Sequence, residues 1–260
     1  MIDPEGSREE NVYMAKLAEE AERYDDMLTY INKVLAIAAD PQQPELSTEE
    51  RGLLSLAYNN IFEARRISWC IVSSMEHFDG VAAIDHLPTI SAYRTRIESE
   101  IEAICESILP LIDSRLISSA TSREAKAFYL QMKGDYNRYI AEIKTGEQWL
   151  EVTEATNSAY KEATEIVEAD LSPAHPTRLA LAISFSVFLY EIPDCPHRAC
   201  KLAKQAFDDA ATALDTLGKG QCKKSRNMMK LLEGNLSKWT SDMKEDRSGQ
   251  VKESAPIPGR

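Results

Sequence analysis

Helical spacing groups several side chains of this chain into stripes suited to binding an extended ligand. Residues seven apart lie two turns up the same helical face, which places Asn59 with Arg66, and Gln131 with Arg138, with Tyr139 beside it. Ile183, Val187 and Glu191 form a third stripe at four-residue steps, and Leu231, Asn235 and Lys238 a fourth. Set side by side, four such helices would line a groove with one polar and one apolar wall. The chemistry on offer is recognition, with charged and amide groups for polar atoms and aliphatic groups for apolar ones.

Taken singly, each stripe has a plainer reading. An isolated Arg on an amphipathic helix is more often a solvated or salt-bridged surface residue than a ligand, and an apolar stripe is more often core. His77, His86, His175 and His197 show no ligand spacing with Cys or carboxylates, so no metal is expected. The chain has no glycine-rich phosphate loop, no nucleophile elbow and no paired Asp/Glu motif in a strand context. We therefore expect no enzyme activity and no cofactor.

The elements that must carry these stripes are helices. Apolar residues recur at helical spacing almost throughout, and no stretch alternates long enough for a strand. Helices are predicted over residues 9–22, 23–38, 122–144, 147–169, 176–191, 196–217 and 225–242. A long one opens at the capping-box sequence Ser47-Thr48-Glu49-Glu50 and runs to about residue 77. Another covers 89–116 and is expected to break or bend around Pro110. His175-Pro176 marks a helix start, where the missing proline N–H is harmless. From Lys244 the composition turns polar with Gly and Pro, so we expect a helical domain over 1–243 and a flexible tail over 244–260.

Composition agrees with this picture. Ten Gly and eleven Pro in 260 residues are sparse, as in long helices joined by short loops. With 42 acidic against 30 basic residues the net charge is −12, which repels nucleic acid and anionic membranes on average. Any anion site must then be a local basic pocket. Cys70, Cys105, Cys195, Cys200 and Cys222 are odd in number and form no CxxC pair, the usage of reduced intracellular thiols. No apolar segment precedes Ser7 and none approaches the roughly 20 residues that span a bilayer, so a soluble cytoplasmic protein is expected.

Several segments together resemble the 14-3-3 family. These are residues 128–139 (FYLQMKGDYNRY), 178–191 (RLALAISFSVFLYE), 17–27 (LAEEAERYDDM), 51–61 (RGLLSLAYNNI), 64–69 (ARRISW), 206–210 (AFDDA) and 214–217 (LDTL), in order from about Asn11 to Asp242. The resemblance implies an all-α fold, a dimeric bundle of nine antiparallel helices with a concave groove. It also implies an adaptor that reads phosphoserine or phosphothreonine on partner proteins. Arg66, Arg138 and Tyr139 would grip the phosphate, two guanidinium forks and a phenol supplying charge-assisted hydrogen bonds to its oxygens. Lys133, Ile183, Val187, Glu191, Leu231, Asn235 and Trp239 match the family's groove residues.

The chain departs from the family at informative places. Asn59 and Gln131 stand where the family has Lys, and Ser184 stands where it has a main-chain-clamping Asn. Asn227 and Lys238 stand where it has Leu on the apolar wall. A hydrogen bond to a charged group contributes about 1.5–3 kcal/mol, so the loss of a cation at position 59 is expected to weaken phosphate binding about tenfold or more. A helical peptide-binding scaffold with weakened or lost phosphate dependence is therefore the alternative reading.

For self-association, the resemblance pairs Arg23 with Glu100 and Asp26 with Arg96 across a two-fold axis, with Leu17, Ala21, Ser68, Val72 and Tyr93 packed between them. The partner copy is another molecule of this chain or of a paralogue. Ser68 follows Arg65-Arg66-Ile67 and reads as a basophilic kinase site. Ser254, in Ser-Ala-Pro, is a second candidate phosphosite, which would let the C-terminal tail occupy the chain's own groove.

Overall fold

The computed structural model describes residues 6–40, 42–78, 86–217 and 223–253, with side chains except at 77, 78, 216, 217 and 246–253. The helices are α1 (Arg8–Glu20), α2 (Tyr24–Ile37), α3 (Thr48–Phe78), α4 (Leu87–Leu111), α5 (Ile117–Ser119), α6 (Arg123–Ile143), α7 (Gly146–Asp170), α8 (Pro176–Glu191), α9 (Pro196–Leu217) and α10 (Lys223–Glu253). A π-helical turn, Ile112–Leu116, joins α4 to the single turn of α5 without interruption, so the described residues form nine helical rods and no strand. They fall into two compact units, Met1–Thr121 and Ser122–Arg260.

In the first unit α1 packs on α2, α2 on α3 and α3 on α4. Capping boxes start two of these helices. Ser7 Oγ accepts from the Glu10 N–H at 3.2 Å, and the Glu10 carboxylate accepts from the Ser7 N–H at 2.7 Å. The predicted box at α3 has the same form, with Glu50 N–H to Ser47 Oγ at 3.2 Å and Ser47 N–H to Glu50 Oε2 at 2.7 Å. Arg8 then donates to both Glu50 oxygens, at 2.6 and 2.7 Å, and to the Pro44 and Glu45 carbonyls at 2.9 and 3.0 Å. One arginine thereby ties α1 to the start of α3. Burial pushes the Glu50 carboxyl up, but the bonds from Arg8 and Ser47 outweigh it and hold it below its ordinary range.

Met27 and Ile31 of α2, Leu54 and Phe62 of α3, and Ile101 and Ile108 of α4 form the centre of this unit's core. Burying each such side chain stabilises by about 1.5–3 kcal/mol. Pro110 does not break its helix. α4 continues through it to Leu111, the ladder widens into the π turn, and Ile112 and Leu116 remain in the core. Arg115, on that turn, donates to the Leu35 carbonyl and so satisfies an otherwise orphaned group at the end of α2.

The second unit is built on the close approach of α6 to α7. Ala125, Ala127 and Ala141 of α6 and Ala159 and Ala163 of α7 are buried. At Gly134 the approach is tightest, because a Cβ there would lie 2.5 Å from the Tyr160 ring. Tyr160 stacks on Phe185 of α8 at 5.3 Å between centroids and meets Phe188 at 5.8 Å. α8 opens as expected, with Pro176 in its first turn and His175 Nδ1 accepting from the Thr177 N–H at 3.3 Å. Ser225 at the start of α10 donates to the Ala174 carbonyl at 2.7 Å. The predicted end of the last helix, at residue 242, is corrected: the α10 backbone is helical to Glu253, past the predicted tail start at Lys244. Residues 242–253 hold no Pro, and the one interior glycine, Gly249, costs only about 1 kcal/mol and does not by itself stop a helix.

Candidate functional site

In the second unit, Gln131, Asp135, Arg138 and Glu142 follow one another along one stripe of α6. Arg138 is the central group, its side chain 12% exposed. Its Nη1 donates to Glu142 at 2.8 Å and lies 3.7 Å from Glu191 on α8, and its guanidinium carbon sits 4.5 Å from the centre of the Tyr139 ring. The Arg138 Nε is buried and has no acceptor among the described residues. A buried charged donor left without an acceptor is costly. Because that nitrogen is sealed from solvent, an anionic ligand meets the guanidinium at its outer nitrogens, where Glu191 now lies 3.7 Å from Nη1.

Asp135 lies beneath this arginine. Tyr160 donates to it at 2.7 Å, Ser184 is hydrogen-bonded to it, and Gln131 Nε2 donates to Ser184 Oγ at 3.3 Å. Burial raises the Asp135 carboxyl, and the Arg138 charge with the Tyr160 and Ser184 bonds lowers it only in part. Burial likewise pushes the Tyr160 phenol well up, with Asp135 adding to the shift. Burial disfavours the Arg138 charge as well, but Tyr160, Tyr139, Asp135 and Glu142 together outweigh it, so the guanidinium is raised above its ordinary value. The result is a permanently charged, oriented donor.

Asp135, Glu142 and Tyr160 did not figure among the predicted site residues. The first two were within reach of the sequence, since they extend the Gln131–Arg138 stripe by further helical steps; Tyr160 belongs to another helix and carried no such signal. Around them, Lys133, Ile183, Ser184 and Val187 are half-buried, Glu191 and Lys238 are exposed, and Asn235 is half-buried. Leu231 is 59% exposed. Trp239, expected on the apolar wall, is 4% exposed and stacks on Tyr190 at 4.8 Å, with the Tyr190 hydroxyl donating to Asp242 at 2.7 Å. It therefore braces α10 against α8.

In the first unit, Asn59 and Arg66 are half-buried on α3. Asn59 Nδ2 donates to Ser55 at 3.3 Å, and Arg66 lies 3.7 Å from Glu63. Of the predicted self-association set, Leu17, Ala21, Arg23, Ser68, Tyr93, Arg96 and Glu100 are exposed and Asp26 is half-buried. Within this one chain Arg23 pairs with Asp26, and Arg96 lies 3.5 Å from Glu100. Val72, however, is 8% exposed and packs inside its own unit, whereas Ile67, Ile71 and Met75 present an exposed apolar stripe at four-residue steps. Ser68 is exposed and its hydroxyl donates to the Ala64 carbonyl at 3.0 Å. Ser254 and Cys222 lie outside the described residues.

Among the described residues no group of His, Cys, Asp or Glu is arranged to hold a metal, and no helix is long and apolar enough to cross a membrane. Among the described residues the chain is helical throughout, with a buried arginine backed by a carboxylate and flanked by tyrosine. The family described as 14-3-3 protein matches residues 14–240. The chain is 55% identical over 252 residues to 14-3-3-like protein 16R of Solanum tuberosum, covering 96% of this chain and 97% of that protein. It is equally similar to 14-3-3 protein 6 of Solanum lycopersicum, at 55% over 252 residues with the same coverage. To the 14-3-3-like protein of Pisum sativum it is 54% identical over 250 residues, 96% of this chain and 95% of that one. The chain belongs to the 14-3-3 family. It is accordingly an adaptor for phosphoserine- and phosphothreonine-containing segments, not an enzyme, and the family's dimerisation comes with that membership.

Proposed function

We propose that the phosphate is held by Arg66, Arg138 and Tyr139, with Asn59 a neutral donor in place of a cation. The loose Arg138–Glu191 pair carries this reading, because a charged guanidinium whose Nη1 is 3.7 Å from an exposed carboxylate can exchange it for a phosphate oxygen at full hydrogen-bond distance. Glu191, 3.7 Å from Arg138 and exposed, is the carboxylate that a phosphate displaces. Gln131 and Ser184, bonded to each other, take the places of a cation and a main-chain clamp, so the ligand backbone relies on Asn235. Ile183, Val187 and Leu231 serve the ligand's apolar flank, Lys238 and Lys133 an acidic one.

We further place Arg23, Asp26, Arg96 and Glu100 with Leu17, Ala21, Ser68 and Tyr93 at the dimer contact, with a second copy or a paralogue, in the cytoplasm. Occupation of the groove by the chain's own tail through phosphorylated Ser254 belongs to the same reading. Fluorescence polarisation with one serine peptide, phosphorylated and plain, tests the grip. The phosphorylated form should bind at least about a hundredfold more tightly, about 2.7 kcal/mol, and equal affinities would refute it.

A further inference from the structure

α8 has two working faces. Ile183, Ser184, Val187 and Glu191 fall on one, and Leu181, Ala182, Phe185 and Leu189 fall on the opposite one by helical spacing. The second face, with α7 and α9, lines a half-open cavity of about 440 Å³. Small-molecule sites occupy roughly 300–1,000 Å³, so this volume holds a compact ligand. Its walls are aliphatic and aromatic, from Val167, Leu181, Phe185, Leu189 and Leu202.

The charges lining it are sorted by position. Where α7 hands over to α8, Arg178 is already engaged, 3.8 Å from Glu168 and donating to the Leu171 carbonyl at 3.2 Å. The other end lies where α8 hands over to α9, marked by the Cys195 N–H donating to the Leu189 carbonyl at 2.8 Å. Arg198 and Lys201 in the first turns of α9 line that end. Lys161 lines the middle of the wall, since its neighbour Tyr160 stacks on Phe185, and Asp209, about three turns along α9 from Arg198, accepts from Gln205 at 2.9 Å. All three cations are exposed, and none shares an ion pair with a carboxylate among the described residues. In a chain of net charge −12, three cations without ion pairs along the Phe185–Leu189 half of an apolar cleft form a local reversal of the field.

We propose that this cavity is a second ligand site, for a small amphipathic anion whose single carboxylate or sulfonate meets Lys161, Arg198 and Lys201 while its apolar body fills the wall between Val167 and Leu202. A bare inorganic anion would leave the apolar wall in water, and a neutral apolar molecule would leave the cations unmatched. Each therefore gains only part of the available free energy. The assignment does not depend on how Arg138 binds phosphate.

Isothermal titration of the full chain with decanoate tests it, with decyltrimethylammonium as the same body carrying the opposite charge. Decanoate should bind once per chain, and the cationic amphiphile should not saturate. The double variant Arg198→Glu and Lys201→Glu, both on the surface, should weaken decanoate at least about tenfold, or 1.4 kcal/mol, and leave phosphopeptide affinity unchanged. Ala182→Trp, which projects an indole into the cavity, should abolish decanoate binding. Undiminished decanoate affinity in both variants, its displacement by phosphopeptide, or no binding up to about 1 mM in the parent chain would each overturn the proposal.

Discussion

Arg138 in the second unit and Arg66 in the first are the same residue type on the same kind of helix, yet they are held differently. The Arg138 side chain is 12% exposed and is surrounded by Tyr139, Glu142, Asp135 and Glu191, whereas that of Arg66 is 31% exposed beside Glu63 at 3.7 Å. A charge removed from water is screened less and interacts more strongly with whatever enters. It also depends on its neighbours for stability in the empty state. Arg138 is thus part of the fold as well as of the proposed site, and Arg66 lies closer to the surface.

Arg138→Ala should be the most damaging change. It removes the proposed charge-assisted contact to phosphate, and it strands the Asp135 and Glu142 carboxylates, an arrangement that typically costs about 3–5 kcal/mol. Both phosphopeptide affinity, by at least about a hundredfold, and melting temperature should fall. Arg66→Ala should weaken the same peptide by about tenfold to a hundredfold with the melting temperature nearly unchanged. Matched melting curves for the two variants would break the contrast.

Gly134→Ala tests the packing beneath Arg138 alone. Its Cβ would meet the Tyr160 ring at 2.5 Å, and overpacking of this kind costs about 1–3 kcal/mol. Calorimetry should show a lowered melting temperature, and a melting temperature equal to the parent's would mean that α6 and α7 can separate without loss.

The two units also titrate in opposite senses. Glu50 is held below its ordinary range, so its contribution to stability is present above the unfolded value of about 4.3 and is lost as pH falls through the folded one. Asp135 is raised, so its contribution is present below the unfolded value of about 3.9 and is lost as pH rises through the folded one. Glu50→Gln should flatten the acid limb of a stability–pH curve, and Asp135→Asn the limb rising from about pH 3.9. Denaturant titrations across that range check both signs.

The smallest expected effect is a gain. Asn59→Lys, on the more exposed side of the contrast, should tighten phosphopeptide binding by up to about tenfold at low salt and less at high salt, because an exposed cation is screened. Polarisation measured at two ionic strengths would show it.

The helical class, the capping box at the start of α3 and the starts of α8 and α9 were legible in the sequence, because they rest on local chemistry: apolar spacing, Ser with Glu three residues on, and Pro at a first turn. The end of the last helix was less so, because residues 242–253 hold no strong terminator and the composition alone suggested a tail. The stripe through Gln131 and Arg138 was also local, and its extension to Asp135 and Glu142 follows from the same periodicity. What the sequence could not determine was which side chains face inward. That Val72 packs within its own unit, that Trp239 stacks on Tyr190, and that Tyr160 reaches Asp135 from a neighbouring helix are decided by how helices far apart in the chain pack, since burial and desolvation depend on every element that closes over a group.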